Sequence, residues 1–188
     1  MYDDEEAPLG VVPLEGRGSL PYALVHGESL VAAASWALTT AGIELFDWTV
    51  PLSEVSASGR ALVVHDPLCP LTPVDFLLDA VAESGRTGAV VVGVRPVTDT
   101  VKEHDVASGR LGATVDRDSL VSVASPVVLP ATVVAALGEL PTGDLAELVA
   151  HLSRRFPVRH LPAPALARRV ADADDLEVLA ALSAAGSA

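Results

Sequence analysis

Three short apolar runs limit what this chain can fold into. Ala61-Leu62-Val63-Val64 is continuous, Gly88 to Val94 is mostly valine, and Gly10-Val11-Val12-Pro13 is a shorter run of the same kind. Runs of this length without polar alternation suit strands covered on both faces, as in a parallel sheet. Helical patterns lie between them. Glu28 to Ala41 carries Leu30, Ala33, Ala34, Ala37 and Leu38 at helical spacing, with Gly42 as a stop. Thr72-Pro73 predicts a helix to about Glu83, with Thr72 as its cap. Leu45 to Val50, Leu120 to Val123 and Val158 to Leu161 are expected as strands, and Ser53 to Arg60 as a loop. Pro130 to Leu137, Gly143 to Leu152 and Asp172 to Ala185 are expected as helices, with Asp144 as a cap. The alternation predicts an α/β sandwich around a mostly parallel sheet.

At 188 residues, half of them apolar, the chain suits one well-buried domain. Residues 10–186 are expected to form it, behind an acidic, flexible stretch over 1–9. That stretch lacks the basic-then-apolar order of a signal peptide, and no apolar run approaches a membrane span, so a cytoplasmic protein without a membrane contact is expected. Cys69 is the only cysteine, which excludes an intrachain disulfide and a cysteine metal cluster. A net charge of -13 argues against nucleic acid as partner, while a phosphorylated small molecule needs only a few local cations.

One segment breaks the alternation. Thr98 to Arg117 reads as two extended stretches around Ala107-Ser108-Gly109-Arg110, a hairpin arm. It contains Lys102, the only lysine. A lone two-stranded hairpin is marginal in water, so the arm predicts a homodimer in which each arm reaches its neighbour.

In their order, Val64-His65-Asp66 with Pro70, Pro96 to Lys102, and Thr114-Val115-Asp116-Arg117 resemble the 2-C-methyl-D-erythritol 4-phosphate cytidylyltransferases, from about Val11 to Leu182. Ala124-Ser125-Pro126 and Arg169 to Leu176 are weaker echoes. The resemblance implies a doubly wound, Rossmann-like nucleotidyltransferase fold, dimeric through the arms. It also implies transfer of a cytidylyl group from CTP to methylerythritol phosphate, with magnesium and release of pyrophosphate. By the same resemblance Gly16 and Gly18 would form the nucleotide loop, and Arg17, Lys102 and Arg169 would be catalytic. Thr100, Arg117 and Ser125 would meet the substrate, and Asp66 would hold magnesium.

The sequence also departs from the family. The loop is shortened, Tyr22 follows Pro21 where the family has lysine, and Glu15 replaces a small neutral residue. Pro67-Leu68-Cys69 stands where the family carries an arginine, and only Pro51 to Arg60 occupies the interval of the base-binding segment. Cations on the triphosphate are what in-line displacement needs, and one such donor is commonly worth about 3–4 kcal/mol. The expected function is therefore a degenerate, binding or regulatory relative, with an active cytidylyltransferase as the alternative. Two readings of Thr100, Lys102 and Arg117 stay open: phosphate ligands, or interface residues that pair with carboxylates.

Overall fold

The computed structural model describes residues 6–185, so residues 1–5 of the acidic stretch and residue 186 of the expected domain lie outside the described residues. Among the described residues there are ten strands: β1 (Leu9–Val11), β2 (Leu24–Val25), β3 (Glu28–Ser29), β4 (Glu44–Leu45), β5 (Leu62–Val64), β6 (Val90–Pro96), β7 (Val101–Asp105), β8 (Arg110–Val115), β9 (Val121–Leu129) and β10 (Val158–Pro162). The helices are α1 (Leu30–Thr40), α2 (Leu52–Ala57), α3 (Val74–Thr87), α4 (Ala131–Ala136), α5 (Leu145–Leu152) and α6 (Ala173–Ala185). Six strands form one sheet in the order β10-β6-β9-β5-β1-β4. Its β1–β4, β1–β5 and β10–β6 pairs are parallel, and β9 runs antiparallel between β5 and β6. The mostly parallel α/β sheet expected from the apolar runs is the one present.

Those runs are apolar throughout because both faces of the sheet are covered, and successive side chains point to opposite faces. Val63, Val91 and Val128 pack with Ala37 and Leu38 of α1 and Leu77 and Ala80 of α3. Leu62, Val64, Val90, Val92, Val127 and Leu129 pack on the other face with Leu52 and Val55 of α2, Val133 and Val134 of α4, and Leu148 and Leu152 of α5. A third cluster joins Val25, Leu30, Leu68, Val170 and Leu179, seating α6 beside the sheet. Among the described residues no helix is long and apolar enough to cross a membrane.

Local expectations change in five places. Leu9 belongs to β1, so the ordered region begins before residue 10. The expected loop at Ser53 to Arg60 is mostly α2, a short helix that buries Leu52 and Val55 one turn apart. The expected strand from Leu45 to Val50 stops at Leu45. Thr72 does not cap α3; Pro73 holds the N-cap position, and the Thr72 hydroxyl donates to the Cys69 carbonyl at 2.8 Å. The strand expected over Leu120 to Val123 continues as β9 to Leu129.

That longer strand depends on Gly93. The β6–β9 register shifts between Val92 and Val94, and β9 approaches so closely that a Cβ on Gly93 would lie 2.7 Å from the Ser125 carbonyl oxygen. Backbone cannot retreat as a side-chain tip can. Gly93→Ala is expected to cost about 1–3 kcal/mol in urea denaturation, the range of an overpacked core. A cost near zero would show that β9 can move away.

The arm is present as β7 paired with β8, with Lys102 opposite Thr114 and Gly109 in its turn at φ 66°. Asp105 accepts from the Ala107 and Ser108 N–H groups and fixes that turn. Little covers the arm; Val106 at its tip is 85% exposed.

Candidate functional site

The carboxyl ends of parallel strands are where ligands gather in open α/β sheets. Here the loop after β1, the loop after β5, the turn before α5 and the segment after β10 meet there. The loop after β1 turns at Gly16 (φ 73°) and Gly18 (φ 56°), left-handed positions that glycine accepts without strain. A Cβ on either would meet nothing within 4 Å, so they shape the turn and leave its face open.

Arg17 points inward from this loop and is 9% exposed. Its Nε donates to Asp66 Oδ1 at 2.8 Å, one terminal nitrogen to the Glu15 carbonyl at 2.8 Å and the other to the Gly143 carbonyl at 2.8 Å. Asp66, 2% exposed, also accepts from the Leu68 N–H at 3.0 Å through Oδ1 and from Arg169 Nε at 3.0 Å through Oδ2. Burial pushes the Asp66 carboxyl upward. The hydrogen bond and charge of Arg17, the Leu68 N–H and the charge of Arg169 outweigh it and hold the group below the ordinary aspartate value. Asp66 is a carboxylate held between two guanidinium groups.

Ser125, expected at the substrate, lies behind this cluster and is fully buried. Its hydroxyl is hydrogen-bonded to His65 Nδ1 and accepts from the Asp66 N–H at 3.0 Å. Burial, partly opposed by the charge of Asp66, pushes His65 down to about 4, and its Nε2 has no hydrogen-bond partner. Burial first, then Asp66, pushes the Cys69 thiol up to about 12, which removes it as a nucleophile at neutral pH.

In front of the cluster is an open cavity of about 410 Å³ whose wall includes Glu15, Arg17, Asp144, Glu147 and Arg169. Asp144 caps α5 by accepting from the Glu147 N–H at 3.0 Å, as expected. Three carboxylates thus face a cavity in which every nitrogen of Arg17 already donates within the protein, and Arg169, with a side chain 41% exposed, is the cation nearest solvent. Arg168 pairs instead with Asp175 of α6. A hollow of about 710 Å³ at the amino ends of the strands holds Arg60, which is committed to Glu44 and the Ala7 carbonyl.

The other expected residues lie on the arm. Lys102 Nζ donates to Thr114 Oγ1 at 3.3 Å, and an Arg117 terminal nitrogen donates to the Thr98 carbonyl at 2.7 Å. Thr100 precedes β7 and is exposed. Within the chain, no hydrogen bond or ion pair among the described residues joins these three to Arg17, Asp66 or Arg169.

Magnesium does not fit Asp66 as the structure holds it. Both carboxylate oxygens already accept from guanidinium groups, and among the described residues no group of three or more His, Cys, Asp or Glu could hold a metal ion. A small, hard cation demands near-octahedral oxygen ligands at about 2.0–2.1 Å, which this arrangement leaves no room to supply.

No protein-family model matches the chain. It is 42% identical over 143 residues to the bifunctional enzyme IspD/IspF of Clavibacter michiganensis, covering 73% of this chain and 34% of that protein. It is 39% identical over 137 residues to the 2-C-methyl-D-erythritol 4-phosphate cytidylyltransferase of Frankia casuarinae, covering 71% of this chain and 50% of that protein. These matches span from a third to about half of the curated relatives. The crystal structure of the Thermus thermophilus 2-C-methyl-D-erythritol 4-phosphate cytidylyltransferase superposes with a TM-score of 0.69 at 18% identity, over 95% of this chain and 100% of that one, a likeness of fold. By sequence and by fold the chain is a shortened relative of the 2-C-methyl-D-erythritol 4-phosphate cytidylyltransferases, the family that its motifs resemble.

Proposed function

We propose that the chain is a degenerate, homodimeric relative of the cytidylyltransferases that binds a phosphorylated small molecule and lacks efficient CTP-dependent transfer. The observation that carries this reading is the commitment of Arg17: each of its three nitrogens already donates within the protein, to Asp66 and two backbone carbonyls. The cation of the glycine loop is nearly buried and paired with Asp66 instead of facing a triphosphate, and Glu15, Asp144 and Glu147 add repulsion at the cavity. The arm supports the other half of the proposal. Its exposed strands gain cover by lying on a second copy, and Thr100, Lys102 and Arg117 supply a hydroxyl and two cations suited to phosphate.

Identities of 42% and 39% to proteins named for the transfer favour a second reading, an active cytidylyltransferase forming CDP-methylerythritol and pyrophosphate with magnesium. Isothermal titration of methylerythritol phosphate and of CTP, each with magnesium, separates the two. The degenerate reading expects the sugar phosphate to bind, about ten-fold or more weaker in Lys102→Ala, the value of one charge-assisted contact. It expects no heat from CTP; tight CTP binding would favour the active enzyme.

A further inference from the structure

We propose that the groove between the β2–β3 ribbon, α1 and the loop after β5 is a second binding site, which takes a small hydrophobic cation of the arylalkylammonium class. The groove encloses about 490 Å³, within the range of small-molecule sites. It shares no lining residue with the cavity before Asp66. Val25, Ala33 and Leu71 give it an apolar floor. Val25 belongs to the cluster of Leu30, Leu68 and Leu179, and Leu71 packs against that cluster, so the floor is continuous with the core.

Charge complementarity fixes the class of ligand. Trp36 of α1 lines the groove with 68% of its surface exposed, whereas tryptophan is mostly buried in folded chains. Its open indole attracts cations more strongly than the other aromatic rings do. Glu28 lines the same groove, and among the described residues its side chain has no hydrogen bond or ion pair. No lysine or arginine is among the lining residues, so the charge the groove complements is positive. An ammonium would meet Glu28 and the indole while its apolar body covers the floor.

The wall of the groove is already in place. The turn His26-Gly27 between β2 and β3 has φ values of 52° and 85°, the sign that tight two-residue hairpins require. His26 Nε2 is hydrogen-bonded to Ser183 Oγ of α6 at 2.6 Å, and the Leu30 N–H donates to the Ala23 carbonyl at 3.0 Å. A ligand entering a fixed wall gives up little free energy to ordering. The groove's role does not rest on the degenerate reading of the transferase site, because the two places share no residue.

The chain has two tryptophans, and their indole N–H signals in a ¹⁵N–¹H spectrum separate the sites. Trp36 lines the groove, whereas Trp48 lies against Gly143 at the cavity before Asp66. Titration of wild type with 2-phenylethylammonium is expected to shift the Trp36 signal and leave that of Trp48 in place. The dissociation constant should be on the order of 1 mM, the scale of a fragment-sized ligand. Glu28→Gln should weaken binding about two- to five-fold, the scale of an exposed ion pair. The anion 3-phenylpropionate, on the same skeleton, should bind about ten-fold more weakly or worse, because it meets Glu28 with like charge. Trp36→Ala should abolish the heat of binding in isothermal titration. Both substituted side chains are exposed, so neither variant empties the core. Equal binding of the two probes, unchanged binding in Glu28→Gln, a shift of Trp48 in place of Trp36, or no shift up to about 10 mM probe would overturn the proposal. So would a Trp36 signal that moves with protein concentration alone, which would give the groove to a second copy of the chain.

Discussion

Arg17→Ala is expected to lower the free energy of unfolding by about 3–5 kcal/mol, the usual cost of removing one partner from a buried ion pair. For a chain of this size the midpoint should fall by roughly 10 °C. The magnitude follows from what is left behind: a nearly buried Asp66 with only the Leu68 N–H and the partly exposed Arg169, and two carbonyls that lose their donor. Arg17→Lys should recover only part of the loss, because an ammonium cannot reproduce the planar fork that meets Asp66, Glu15 and Gly143 together. A loss below about 1 kcal/mol, the scale of an exposed pair, would mean that the guanidinium is not structurally committed and is available to a ligand.

The second large effect is set by pH. His65 titrates near 6.5 in the unfolded chain and near 4 in the folded one, because burial disfavours the imidazolium. Between those values the unfolded chain binds more protons. Stability is therefore complete above pH 6.5 and falls as the pH drops toward 4, by about 3 kcal/mol in all. Asp66 does not share this window. Its pKa lies below the usual 3.8, so its contribution holds at higher pH and is lost only in stronger acid. Urea denaturation at pH 7 and pH 4.5 should show the difference in wild type, and His65→Gln should flatten it. An unchanged slope in His65→Gln would assign the effect to other groups.

The sheet was legible because its strands carry their environment in their composition. Val63 faces one layer of helices while Leu62 and Val64 face the other, which leaves no room for polar alternation. Helix α2 was hidden by its shortness and its serines, and only the pair Leu52 and Val55 marks a buried side. Pro126 interrupts the apolar pattern of β9 and reads as the end of a strand. It is tolerated because it lies opposite the register shift at Gly93, where regular pairing is already broken.

The site divides in the same manner. Gly16, Arg17, Asp66 and Arg169 stand out by residue type and by the motifs around them, yet the relation among them is tertiary. Arg17 and Asp66 are 49 positions apart, and Asp66 and Arg169 are 103 apart. Nothing local says that the arginine of the glycine loop turns inward instead of toward a ligand. The shift of that arginine to a place between the glycines was the available signal. Ser125 was placed at the substrate by its neighbours in the motif, whereas the close approach of β9 at Gly93 puts its hydroxyl against His65 and the Asp66 backbone. The arm was legible as a hairpin from its turn and its alternating polarity, though not the role of Asp105 in fixing the turn.

Pyrophosphate release tests the central claim most directly. Wild-type protein in excess over CTP, with methylerythritol phosphate and magnesium, would be followed through a single turnover. With Arg17 and Asp66 committed to each other, no pyrophosphate should appear above the protein-free blank. Stoichiometric release of pyrophosphate together with CDP-methylerythritol would show that the cluster opens for the nucleotide, and would contradict the account.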